Sequence, residues 1–157
     1  MSISPLATPF PYMPPIAGVE CRIAQARYKN WDRCDLTFIT LAAGTAVAGV
    51  LTTSKCPSAE VEWCRENLQG GKARALVVSA GNANAFTGYR GRAAVEAVTA
   101  RAADHLQCPV DQIFCSSTGV IGVPLPIDKA EAGLDAAFVA APCSWEDAAA
   151  TIMTTDT

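Results

Sequence analysis

Arg74-Ala75-Leu76-Val77-Val78-Ser79 is a short apolar run between turn signals, followed at once by the small-residue stretch Gly81-Asn82-Ala83-Asn84-Ala85-Phe86-Thr87-Gly88. Such a run, bounded by Gly and rich in β-branched residues, reads as a central strand that ends in a loop. Beyond the loop, Arg92 to Leu106 places Val95, Val98, Ala102 and Leu106 on one stripe, with Glu96, Thr99 and Asp104 off it. That spacing predicts an amphipathic helix. The same succession then recurs. Gln112-Ile113-Phe114-Cys115-Ser116 is strand-like and runs into Ser117-Thr118-Gly119-Val120-Ile121-Gly122, the rigid Pro124-Leu125-Pro126, and a helical pattern from Asp128 to Val139. Ser144 to Met153 forms a last helix, with Ser144 as N-cap and Asp147 at the third helical position, a near-miss of the capping box. Strands before helices, in mixed order, predict a layered α/β domain.

Working back toward the N-terminus, Asp35 to Ala42 and Ile16 to Ala26 read as two strands, joined by the polar Tyr28 to Arg33 into a hairpin. Thr45-Ala46-Val47-Ala48-Gly49-Val50-Leu51-Thr52-Thr53 has small residues on both faces, which suits a third strand buried between layers. Residues 58 to 68 carry Val61, Cys64 and Leu68 at helical spacing, and Gly70-Gly71 ends that short helix. Residues 1–15 hold half of the ten prolines, which deny the segment ladder bonds and helix nucleation. They form a Pro-rich N-terminal arm, and residues 16–157 form one α/β domain.

With 157 residues, half of them apolar, the chain is long enough to bury one proper core. Charged residues make up 17%, below the usual share of about a quarter, which hints that a partner covers part of the surface. A net charge of −3 without clustered Lys or Arg argues against nucleic acid as a partner. Seven cysteines, an odd number without CxxC pairs, fit a reduced, cytoplasmic protein. Structural zinc is not expected, because the only histidine is His105 and the thiols are scattered. No apolar stretch reaches the roughly 20 residues that span a bilayer, so no membrane is expected.

Two loops could carry chemistry. Ser116-Ser117-Thr118-Gly119 offers three hydroxyls and a glycine directly after a buried strand. A Thr hydroxyl beside a Gly N–H can meet a developing oxyanion without burying a charge. On spacing alone an ordinary tight turn explains the loop better, since Ser and Gly dominate turns. Gly81, Asn82 and Asn84 have the same character, and their amides could position a substrate carbonyl or carboxylate. Neither GxGxxG nor a P-loop is present. No Ser–His or Cys–His constellation can be assembled, because His105 falls on the core side of its helix.

Four motifs, Gly44 to Thr53, Ser79 to Gly88, Ser117 to Pro126 and Ile152-Met153-Thr154-Thr155-Asp156-Thr157, occur in an order and spacing that resembles the ornithine acetyltransferase family of arginine biosynthesis. The resemblance covers nearly everything after Ile16. It implies a layered αββα sandwich related to N-terminal-nucleophile hydrolases, made as a precursor that cuts itself into α and β chains, with this chain as the α part. It also implies a threonine nucleophile at the new β-chain N-terminus, which moves acetyl from N-acetylornithine to glutamate as an acetyl-threonine ester. Some family members accept acetyl-CoA as donor, as a substrate and not a cofactor. No cofactor is otherwise implied. A hydroxyl activated by its own free α-amine can do this without histidine.

By position, the resemblance makes Thr118 and Gly119 the oxyanion hole and Thr155 a substrate-contacting threonine, with Thr154 as its rival. The nucleophile is not in this chain, because the Lys-Gly-rich segment and Ala-Thr cleavage signature of the family do not occur before Thr157. Ala150-Thr151 is locally similar but lies inside a helical pattern. The expected partner is the β chain of the same precursor in an α2β2 assembly. The alternative is an amidase or aminopeptidase of the same nucleophile architecture, with water as acceptor.

Overall fold

In a computed structural model that describes residues 8–155, four strands form one mixed sheet in the order β1-β2-β3-β4. Residues 1–7 of the expected arm, and Asp156 and Thr157 of the last motif, lie outside the described residues. Strands β1 (Val19–Ala24) and β2 (Leu36–Leu41) make the expected antiparallel hairpin, in register from Val19 opposite Leu41 to Ala24 opposite Leu36. Buried Asp35 ties its connection: Oδ1 accepts from Ala26 N at 2.6 Å and Oδ2 from Tyr28 N at 2.8 Å. Two otherwise orphaned amides are thereby satisfied. Strand β3 (Ala75–Asn82) runs antiparallel to β2 and parallel to β4 (Ile113–Val120).

A parallel pair needs a long crossover. Helix α2 (Tyr89–Leu106) lies within it and buries Val95, Val98 and Ala102 of the expected stripe. Thr99 is also fully buried, against expectation; its hydroxyl is satisfied by the Val95 carbonyl at 2.8 Å. Helix α3 (Ile127–Val139) lies beside α2 and closes the main core with Leu134, Ala130 and Ala137 over Leu36 and Phe38. Helix α1 (Ala59–Asn67) flanks the edge strand β4. The face α1 buries is Ala59, Glu60 and Trp63, not the expected Val61, Cys64 and Leu68. The Trp63 indole fixes it by donating to Ile113 O at 2.8 Å.

Helix α4 (Trp145–Ile152) packs against β1, β2 and β3, outside the main core cluster. We place it on the opposite sheet face. Its capping box is complete, since the shorter Asp147 still reaches the Ser144 amide at 3.1 Å while the Ser144 hydroxyl accepts from Asp147 N at 3.1 Å. The described residues thus supply one sheet of the expected layered arrangement, backed by helices.

Three further expectations of the sequence are corrected. The stretch from Thr45 to Thr53 is not a buried strand: it makes a single bridge, Ala46 to Lys72, and Val50 is 99% exposed. Its pattern suits a strand, but no neighbouring strand among the described residues offers it a ladder. Conversely, Gly81, Asn82 and Ser117 to Val120 are not loops but the ends of β3 and β4, paired residue by residue. The tail at Thr154 and Thr155 is a bend and not strand-like. No helix among the described residues is long and apolar enough to cross a membrane.

Candidate active site

Gly81 and Gly119 sit directly opposite each other in the parallel pair β3 and β4, with φ of +125° and +123°. Few side chains tolerate this backbone. A Cβ on Gly119 would stand 2.5 Å from the Gly81 carbonyl carbon and 2.6 Å from its oxygen, so the two backbones touch. Gly81 is in turn covered by Tyr28, Lys29 and Trp31. This contact fixes where β4 leaves the sheet.

Thr118, one residue earlier, is half-buried beside Ala80. Its hydroxyl has no hydrogen-bond partner among the described residues. Strand alternation directs it to the face where α4 packs, away from its neighbour Ser117. The Ser117 hydroxyl is engaged, donating to Ala83 O at 2.8 Å, and so braces the chain leaving β3. Thr118 therefore offers a donor that no described residue engages, at a strand end whose position two glycines define. That is the kind of fixed group that can meet an oxyanion.

The residues after β3 do a different job. Asn82 and Asn84 are both 1% exposed. The Asn82 amide donates to Val123 O at 3.1 Å, while its buried Oδ1 has no partner among the described residues. Asn84, in the left-handed region at φ +48°, donates to Glu60 Oε1 at 2.9 Å and Gly91 O at 3.1 Å, and accepts from the Thr87 hydroxyl at 2.9 Å. The Asn84 side chain is thus fully engaged within the chain. A cleft of about 360 Å³ opens beside this loop, lined by Asn84, Phe86, Tyr89 and Arg92 among others. Thr118 is not among its residues.

Glu60 was not legible as part of this network, because an acid in a helix's first turn normally faces water. Here it is 5% exposed, and burial raises its pKa against the lowering effect of the Asn84 hydrogen bond. Its second oxygen has no partner among the described residues. A buried carboxyl of this kind favours the protonated form.

Thr154 is half-buried and Thr155 exposed, directly after α4. Arg33 anchors this segment, donating to Ala150 O at 3.0 Å and to Met153 O. The helix that leads to these threonines packs on the sheet face toward which Thr118 points. His105 lies far along α2, where its Nε2 meets Asp135 Oδ1 at 2.7 Å and its ring stacks on Phe138 at 4.3 Å. It is half-buried between α2 and α3, in a cluster with Asp135 and Phe138. Among the described residues no group of three or more His, Cys, Asp or Glu side chains is arranged to hold a metal.

The profile of the ArgJ family matches residues 19–157. The chain belongs to the ArgJ family. The arginine biosynthesis bifunctional protein ArgJ of Zymomonas mobilis is 57% identical over 157 residues, covering 99% of this chain and 38% of that protein. The corresponding Bradyrhizobium diazoefficiens protein is 53% identical over 160 residues, again covering 99% and 38%. This chain therefore spans 38% of the length of these curated relatives. Among solved structures, the ornithine acetyltransferase of Mycobacterium tuberculosis complexed with ornithine superposes with a TM-score of 0.80 at 33% identity, over 89% of this chain and 77% of that one. The ArgJ protein of Bacillus halodurans gives 0.78 at 29% identity, over 90% and 74%. These likenesses bear out the family and the fold expected from the four motifs.

Proposed function

We propose that this chain is the oxyanion-stabilising α part of a glutamate N-acetyltransferase. The carrying observation is the Thr118 hydroxyl, without a hydrogen-bond partner among the described residues, next to Gly119 at a strand end fixed by the Gly81–Gly119 contact, in a chain of the ArgJ family. In this reading a threonine at the N-terminus of a β chain, released by self-cleavage of a common precursor, attacks the acetyl carbonyl of N-acetylornithine. Negative charge gathers on the carbonyl oxygen, where the Thr118 hydroxyl and Gly119 N–H donate to it. The C–N bond then breaks, ornithine leaves with a proton, and the acetyl group stays as a threonine ester. The α-amine of glutamate then attacks the ester carbonyl through the same oxyanion site, the ester C–O bond breaks, and the amine's proton passes to the threonine oxygen, which leaves acetylglutamate and the free threonine.

In this reading the chain works with the β chain of the same precursor, and the proposed assembly is α2β2 in the cytoplasm. Acetyl-CoA would enter as an alternative acetyl donor, with no resident cofactor. Thr155, or Thr154, would contact substrate from the segment after α4. Gly81, Asn82 and Asn84 would act by holding the strand end and loop in place, since the asparagine amides already bond within the chain.

Acetyl transfer measured on the assembled protein tests this. Thr118→Ala should lower kcat on the order of a hundredfold with KM little changed, as loss of one oxyanion donor does. Thr118→Ser should keep much of the rate. An unchanged kcat would remove Thr118 from the mechanism. Acetate released at the same rate with and without glutamate would make the protein a hydrolase.

A further inference from the structure

Cys64 and Cys115 meet where α1 crosses the edge strand. Cys115 is buried with Ala59, Trp63 and Val95, and the half-exposed Cys64 packs against this cluster. The Cys64 thiol donates to Cys115 O at 3.4 Å, which sets its sulfur beside Cys115 in this cluster. All seven cysteines are free thiols. We propose that Cys64 and Cys115 are a hydroperoxide-sensitive pair that closes to a disulfide joining α1 to β4. Nothing in the acetyl-transfer reading uses either thiol, so the proposal stands independently of it.

The chemistry separates these two from the other thiols. Burial pushes Cys21, Cys34, Cys108 and Cys143 upward, Cys143 to about 11. Cys64 is instead drawn down to about 7 by the hydrogen bond from Cys115, against burial and the nearby Glu60. Cys115 moves the other way, raised by that same bond and by burial, with Arg92 opposing only weakly. Of the pair, the half-exposed Cys64 loses its proton first and is the nucleophile, since the thiolate is the reactive form.

In the first step the Cys64 thiolate attacks one oxygen of hydrogen peroxide, the O–O bond breaks, and hydroxide leaves to take up a proton as water. Cys64 is then a sulfenic acid. In the second, the Cys115 sulfur attacks Cys64 Sγ, the S–O bond breaks, and the hydroxyl departs with the Cys115 proton as a second water. Two thiols are oxidised by two electrons and one peroxide is reduced to two waters. The new bond tethers α1 to the strand that carries Thr118.

Peptide mass spectrometry on the whole protein, purified reduced and then treated with hydrogen peroxide, tests the pair. The expected product links the Cys64 and Cys115 peptides with loss of two hydrogens, is reversed by dithiothreitol, and forms faster as pH rises through about 7. Cys115→Ser should leave Cys64 as a sulfenic acid that dimedone traps, and Cys64→Ser should leave Cys115 unmodified. The proposal is overturned if Cys64 is still alkylated by iodoacetamide once the exposed Cys56 is oxidised. It is overturned equally if Cys64 links to Cys56.

Discussion

The stretches Thr45 to Thr53 and Ser116 to Val120 are built from the same kinds of residue, small, hydroxylated and interrupted by glycine, yet their fates are opposite. The first has the pattern of a buried strand and runs exposed with one bridge. The second has the composition of a turn and completes an eight-residue parallel pairing. What separates them is the neighbour. β3 offers Ser116 to Val120 a full ladder, and its Gly81 accepts the close approach of Gly119. No strand among the described residues stands beside Val50. Local pattern states which residues tolerate extension, and the partner decides whether a strand forms.

The largest effect should come from the glycine contact. Gly119→Ala puts a Cβ 2.5 Å from the Gly81 carbonyl carbon at a φ of +123°, and strain plus overpacking should cost about 3–5 kcal/mol in urea unfolding. Gly49→Ala, in the exposed stretch, meets only Leu68 at 3.7 Å and should stay within about 0.5 kcal/mol. Equal losses at the two positions would break the comparison.

A smaller effect should follow at Asn84, which holds the chain after β3 by bonds to Glu60, Gly91 and Thr87. Asn84→Ala should cost about 2–3 kcal/mol, because it leaves buried partners unsatisfied. Asn84→Gly accommodates φ +48° but restores no hydrogen bond, so it should recover only part of that loss. Full recovery would show that backbone conformation, and not the polar network, fixes this end of the sheet.

The smallest effect lies outside both stretches. Asp135 is drawn down to about 2, first by the Arg101 hydrogen bond and then by His105, from an ordinary 3.8. A depressed folded-state pKa gives stability that is present above about pH 4 and is lost as pH falls toward about 2. The Asp135 side chain is 39% exposed, so solvent screening leaves about 0.5 kcal/mol of this. Asp135→Asn should flatten acid unfolding by that amount; a larger change would make this exposed cluster rival the glycine contact.

Elements with their own internal signal were legible from sequence. The stripe of α2, the hairpin and the Ser144 cap were expected from residues within a single element or its neighbour, and the structure has them. The ends of β3 and β4 were not, because glycine at φ near +120° looks the same in a sequence as glycine in a turn. Glu60 and Asp35 were also hidden. Each is an acid whose burial depends on amides from another part of the chain, and no periodicity records that. For the candidate site, Thr118 and Gly119 stood out only through the four motifs together, since their own spacing favours a turn. That the Thr118 hydroxyl has no partner among the described residues while that of Ser117 is bonded could be read only from the folded chain.

The pairing of β3 with β4 also sets an order of assembly. β1 and β2 close through a short local connection, whereas β4 can join only after the chain has passed through α2, and such non-local parallel pairing is slow. We expect the backbone contact between Gly81 and Gly119 to lock late in folding. Pulsed hydrogen exchange during refolding would read this as late protection around β4. The proposed donor pair at Thr118 and Gly119 would then be absent from partly folded chains, so that the acetyl transfer proposed above would itself report completed folding.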